Sequence, residues 1–228
     1  MNKRNQPISE KKFEQYCNEN SIPFTPLSPG ECKTPDYEIE ICDERVIVEV
    51  KELRPNDDEQ KAIHDMNETG SATWGETVGK RVRYKIDKAK RQIERLCANK
   101  CPGILLLYDA RFNLVRSISP YEIEVGMYGF EAIDIYVPEI PIEEPRFGKH
   151  RFGNGKKLKR NSCKYISAIG VLRERSDDRL HLDIYHNHFA DKPLPLAALV
   201  REKNMTVFTV AHGEGNEFRG WERVVAED

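Results

Sequence analysis

No stretch of this 228-residue chain approaches the roughly 18 consecutive apolar residues that a membrane helix needs, which excludes a helical membrane protein. The opening residues, Met1 to Pro7, lead into polar sequence without an apolar core, so a secretory leader is not expected and a cytoplasmic location follows. The six cysteines (Cys17, Cys32, Cys42, Cys97, Cys101 and Cys163) contain no CxxC pair and read as reduced thiols. Cys97 and Cys101 have the spacing of half a zinc site, but no second pair stands nearby. A phosphate-binding P-loop, a dinucleotide fingerprint and internal repeats are all absent, so ATP-driven work is not expected. An overall positive charge is also lacking. Thirty-six basic against 38 acidic residues leave a net charge of −2, which argues against a globally basic nucleic-acid binder.

The average conceals segregation. From Lys80 to Lys100 the chain carries nine basic residues, including Arg81, Arg83, Lys85, Lys88 and Arg95, against Asp87 and Glu94 alone. From Arg146 to Lys164 it carries basic residues, Lys156 and Lys157 among them, with no acid; Gly148, Gly155 and Phe147 are interspersed. Such segments suit contact with a polyanion, through phosphate pairing and aromatic faces.

Local patterns predict the elements. Ser9 as N-cap with Phe13, Tyr16 and Cys17 at helical spacing gives a first helix. Tyr37 to Ile41 alternates as a strand, Asp43-Glu44 forms a turn, and Arg45 to Lys51 is a second, β-branched strand, together a hairpin. Glu52 to Gly79 reads as a long polar, partly irregular insertion. Val82, Ile86, Ala89, Ile93 and Leu96 mark the buried stripe of a helix over 80–99. Gly103 to Tyr108 is a continuous apolar run, expected as a strand buried on both faces. Ser119-Pro120-x-Glu122 opens a short helix, and strands are expected over 132–137, 164–172, 180–185 and 207–210.

Residues two apart on a strand share a face, so Glu49 and Lys51 project together, and the hairpin can bring Asp36 beside Glu49. Two carboxylates with a neighbouring lysine are what hydrolysis of a phosphodiester calls for: hard oxygen ligands for a divalent cation, and a positive charge to orient water. Pro35-Asp36, twelve residues, then Glu49-Val50-Lys51 resembles the PD-(D/E)XK signature of the restriction-endonuclease-like superfamily, and the flanking elements from Ser9 to Tyr108 fall in that family's order.

The resemblance implies an α/β fold with a mixed central sheet flanked by helices. Its nuclease-like core would occupy residues 1–110, with a β-rich C-terminal elaboration, 111–228, packed on it and not independent. It implies Asp36 and Glu49 as Mg²⁺ ligands (Mn²⁺ as a substitute), the Val50 carbonyl as a further ligand, Lys51 positioning water, and Glu14 completing the site. Arg81, Arg83, Lys85, Lys88 and Gln92 are candidates for phosphate contact on the following helix. The implied activity is nucleic-acid hydrolysis, DNA favoured over RNA, in restriction, defence or repair; cutting a duplex would favour a homodimer. A catalytically inactive binding module or scaffold subunit with the same fold is the alternative. His181, His186 and His188 read as ordinary histidines, because His186-Asn187-His188 only spells an HNH motif. Trp74 could stack on a base, whereas Trp221 is expected to pack the C-terminal edge.

Overall fold

The computed structural model describes residues 6–28, 33–73, 75–98, 100–111, 118–138, 144–152, 154–175, 177, 179–212 and 218–226, the side chains of 149–152, 212, 218 and 219 excepted. In chain order these form α1 (Ile8–Glu19), β1 (Phe24–Pro26), β2 (Tyr37–Ile41), β3 (Glu44–Leu53), α2 (Asp57–Thr69), α3 (Lys80–Cys97), β4 (Gly103–Asp109), α4 (Pro120–Tyr128), β5 (Glu131–Tyr136), β6 (Arg146–Phe152), β7 (Ala168–Glu174), β8 (Leu180–His186), α5 (Leu196–Leu199), β9 (Met205–His212) and β10 (Phe218–Arg223). The architecture is α/β, with a large mixed central sheet flanked by helices.

The sheet runs β1-β2-β3-β4-β7-β8-β9-β10. The β3–β4, β4–β7 and β8–β9 pairs are parallel and the others antiparallel. The C-terminal strands therefore extend the sheet of the N-terminal half, since β4 bonds directly to β7. β5 and β6 form a separate two-stranded ribbon.

The β2–β3 hairpin closes on Cys42 and Asp43, one residue earlier than expected. Both have positive φ, 53° and 60°, the conformation of a two-residue turn whose twist matches its strands. Alternation then sorts β3: Val46, Val48 and Val50 enter the core beneath α1, while Ile47 and Leu53 enter the core beneath α3. In β4 the same rule sends Ile104 and Leu106 one way and Leu105 and Leu107 the other.

The parallel β3–β4 pair requires a crossover, and α3 supplies it. Val82, Ile86, Ala89 and Ile93 are buried as expected, with Cys97 rather than the half-buried Leu96 completing the stripe. Gly103 starts β4 where a Cβ would collide with Ile93 and the Tyr165 carbonyl, so the helix crosses close over the strand. α1 begins at Ile8, with Pro7 rather than Ser9 at its N-cap, and Ser9 is buried in its first turn.

The Glu52–Gly79 insertion is more regular than its polarity suggests. β3 continues to Leu53, and α2 follows behind a reciprocal capping box between Asn56 and Glu59. Glu59, Arg81, Asp109 and Arg111 form an ion-pair network that ties α2 to α3 and to the end of β4. Arg111 is buried, as are the carboxylates it bridges. α4 carries the expected Ser119–Glu122 capping box. The expected strands appear as β5, β7, β8 and β9, and β1, β6 and β10 add to them.

Candidate active site

Asp36 is held from two sides. Its backbone carbonyl accepts the Leu27 N–H at 2.9 Å, and its side chain accepts the Val50 N–H at 2.8 Å. From α3, Gln92 and Arg95 donate to the carbonyls of Thr34 and Lys33 at 2.9 and 3.1 Å, fixing the approach to Pro35-Asp36. The last residue of β3 paired with β2 is Val48, opposite Tyr37. Val50 thus lies just past the end of β2, and its carbonyl shares the strand edge of the N–H that meets Asp36.

Glu49 lies beneath α3, with 0% of its surface exposed. One carboxylate oxygen is ion-paired with the Lys51 ammonium, and Oε2 is buried with no hydrogen-bond partner. Burial, reinforced by the negative charge of Asp36, pushes the Glu49 carboxyl up to about 7; Lys51 and the nearby Gln92 amide oppose the rise. Burial also raises Asp36, against the Val50 hydrogen bond, the Lys51 charge and hydrogen bonding with the Glu49 side chain. The arrangement is two desolvated carboxylates sharing one lysine. Lys51 itself keeps 24% of its side chain exposed, so its ammonium reaches both Glu49 and solvent.

α3 runs back along β3, and its candidate residues match the strand position by position. Arg81, Lys85, Lys88 and Gln92 recur at spacings of three and four, a single stripe beside the buried one. The eleven residues from Gln92 back to Arg81 span about 16.5 Å at 1.5 Å each, as do the five from Glu49 to Arg54 at about 3.3 Å each. Gln92 accordingly lies by Glu49, Lys85 by Lys51, and Arg81 donates to the Arg54 carbonyl at 3.0 Å. Lys85 is half-buried, and desolvation, then the charges of Lys51 and Arg81, lower its pKa.

The expected residues do not all converge. Arg81 is engaged by Glu59 and Glu76, which makes it a structural cation. Arg83 lies off the stripe, donating to the Val125 carbonyl at 3.3 Å and sitting 5.4 Å from the Phe130 ring centroid. Lys88 is exposed, 5.2 Å from the ring centroid of Tyr84. Lys157 pairs with Asp87 and Lys156 is exposed, both on a segment bonded to α4 through the Met127 carbonyl.

Glu14 accepts hydrogen bonds from Gln6 at 2.6 Å and from the Tyr37 hydroxyl at 2.8 Å. The α1 acid whose charge is coupled to the pair is Glu10, one turn earlier: burial raises it first, then Asp36 and Glu14, with Lys51 opposing. Glu10 was not among the expected site residues, although its i,i+4 spacing from Glu14 places both on one helix face.

Elsewhere, Cys97 and Cys101 are buried together with Sγ atoms 3.9 Å apart. Among the described residues no group of three or more His, Cys, Asp or Glu side chains is gathered to hold a metal ion. His186 is buried and held neutral, down to about 4, by burial and then by His188. His181 contacts the Thr206 hydroxyl at 2.8 Å. Trp221 packs on Tyr185 and Tyr128, as expected of the C-terminal edge. Trp74 lies outside the described residues. No helix among the described residues is long and apolar enough to cross a membrane.

Compared with protein-family models, with curated proteins and with solved structures, the chain matches none.

Proposed function

We propose that the chain is a metal-dependent nuclease with a restriction-endonuclease-like core, its PD-(D/E)XK residues being Asp36, Glu49 and Lys51. The observation that carries this reading is the Glu49 carboxylate: wholly buried, bonded through one oxygen to Lys51, unpartnered at the other, and next to Asp36. Burying an ionised carboxylate costs several kcal/mol unless positive charge compensates it, and one lysine cannot neutralise two such groups. A divalent cation with oxygen ligands supplies the missing charge. The donors present fit Mg²⁺ or Mn²⁺, because they are hard oxygens: Asp36, Glu49 and the Val50 carbonyl.

Further support comes from the order α1, β2–β3 hairpin, α3, β4, with α2 as an insertion. When bound, the ion would act as a Lewis acid on the phosphate and lower the pKa of a coordinated water. Lys51 would orient the attacking water and oppose the charge developing on the phosphate, and Glu49 fixes the ammonium in place. Lys85 adds a second positive charge at the phosphate. Glu10 and Glu14 stand behind the carboxylates, Glu14 anchored by Tyr37.

DNA is the proposed substrate ahead of RNA. The test is cleavage of single-stranded, duplex and branched DNA, and of RNA, with Mg²⁺ or Mn²⁺. Asp36→Asn, Glu49→Gln and Lys51→Ala should each lower the rate by about 100-fold or more. Wild-type cleavage that survives all three substitutions would overturn the assignment. Binding without cleavage in any metal would instead indicate a non-catalytic module of the same fold.

A further inference from the structure

Past Lys51, β3 ends at Leu53 beside the start of α2 and the first turns of α3, and an open cleft of about 390 Å³ lies between them. Leu53, Asn56, Thr77, Lys80, Tyr84 and Lys85 are among its walls. Leu53 is two residues beyond Lys51 on the same strand, so the cleft opens about 6.6 Å further along and on the same face. It therefore continues the candidate active site instead of standing apart from it.

Two features of the cleft call for a ligand. Tyr84 is a large aromatic side chain left 56% exposed at a concave surface, with the Lys88 and Lys85 ammonium groups 5.2 and 6.0 Å from its ring centroid. Lys85 is half-buried and Lys80 exposed, and neither forms a direct salt bridge among the described residues, although the Glu52 charge, itself paired with Arg54, reaches Lys85. The other cations on the same wall are already satisfied, Arg54 by Glu52 and Arg81 by Glu59 and Glu76. The cleft thus offers a largely exposed ring beside two ammonium groups that no carboxylate pairs directly; of the acids on its walls, Glu76 is held by Arg81 and Asp58 stands at the start of α2. An anion with a flat aromatic body meets both needs.

A paired base in a duplex has its faces stacked on its neighbours, so only an unpaired base has a face free for an aromatic side chain. Stacking with flanking phosphate contacts is the usual way single strands are gripped.

We infer that this cleft is a subsite for one unpaired nucleotide adjacent to the scissile phosphate, with Tyr84 stacking on the base and Lys80 and Lys85 contacting its phosphates. This rests on the phosphodiester-hydrolysis reading above and names its substrate class: single-stranded nucleic acid. Sequence preference at this position is weak, because every base has a face to stack.

The test is binding of labelled single-stranded DNA, and of a duplex of the same sequence, to the full chain in Ca²⁺, followed by fluorescence anisotropy. Tyr84 is exposed, and a melting temperature equal to that of wild type shows that Tyr84→Ala is folded. Tyr84→Ala should weaken single-strand binding about tenfold, while Tyr84→Phe and all duplex affinities stay within about twofold. An unchanged single-strand affinity, or an equal loss on duplex, would overturn the subsite. Tyr84-dependent binding by a chain that cleaves nothing in Mg²⁺ or Mn²⁺ would uphold the subsite and sink the nuclease reading. Cleavage by a chain whose binding ignores Tyr84 would do the reverse.

Discussion

Replacing Glu49 by glutamine separates the electrostatic cost of this site from its packing. The substitution keeps the shape of a side chain that has no exposed surface but removes its charge. Without a metal, burial and then the Asp36 charge push the Glu49 carboxyl up to about 7 from an ordinary value of 4.5. Its folded-state pKa is raised, so between those values the folded chain keeps a proton that the unfolded chain has released. Stability therefore falls as pH rises from 4.5 and levels off above about 7. At about 1.4 kcal/mol per pH unit, the full loss is about 3 kcal/mol.

Glutamine is neutral throughout. For a chain of this length 1 kcal/mol corresponds to roughly 2–4 °C in melting temperature. Between pH 4.5 and 8, in EDTA, wild type should thus lose about 6–12 °C more than Glu49→Gln. Melting followed by circular dichroism at several pH values measures the difference. Parallel curves for the two proteins would show that Glu49 is not a desolvated, electrostatically frustrated carboxylate, and the case for a cation at this position would lose its physical basis.

Two further outcomes follow from the same structure. At pH 8, Mg²⁺ at a hundred times its dissociation constant should stabilise wild type by about 2.7 kcal/mol, read as a rise in melting temperature, and should leave Asp36→Asn and Glu49→Gln unmoved. Away from the site, Arg111→Ala leaves the buried Asp109 carboxylate without a cation, whereas Glu59 keeps Arg81, and should cost about 3–5 kcal/mol in urea unfolding; a loss under 1 kcal/mol would mean that the network is solvated.

Local signals made much of this chain legible before any contact was known. The alternation in 37–41 and 45–51, the helical stripe from Val82 to Ile93, the doubly buried run at 104–107 and the Ser119 cap each belong to one segment, and each appears where its pattern places it. α2 was missed because only Ala62 and Glu59 on it are buried, so it shows no apolar stripe; the Asn56–Glu59 capping box was its one local sign. β1, β6 and β10 are ribbon or edge elements whose pairing partners, not their own periodicity, hold them in place.

For the site, sequence alone determined that Glu49 and Lys51 share a strand face and that Asp36 precedes the hairpin, because strand periodicity and turn length are local properties. Tertiary structure decided the rest. Laying α3 across that face brings the Glu49 oxygen out of water, turns Arg81 into a structural cation and half-buries Lys85 beside Lys51, while α1, on the other face, brings Glu10 within electrostatic reach of Asp36. Desolvation and charge balance depend on every element packed around a group. No stretch of neighbouring residues can specify them.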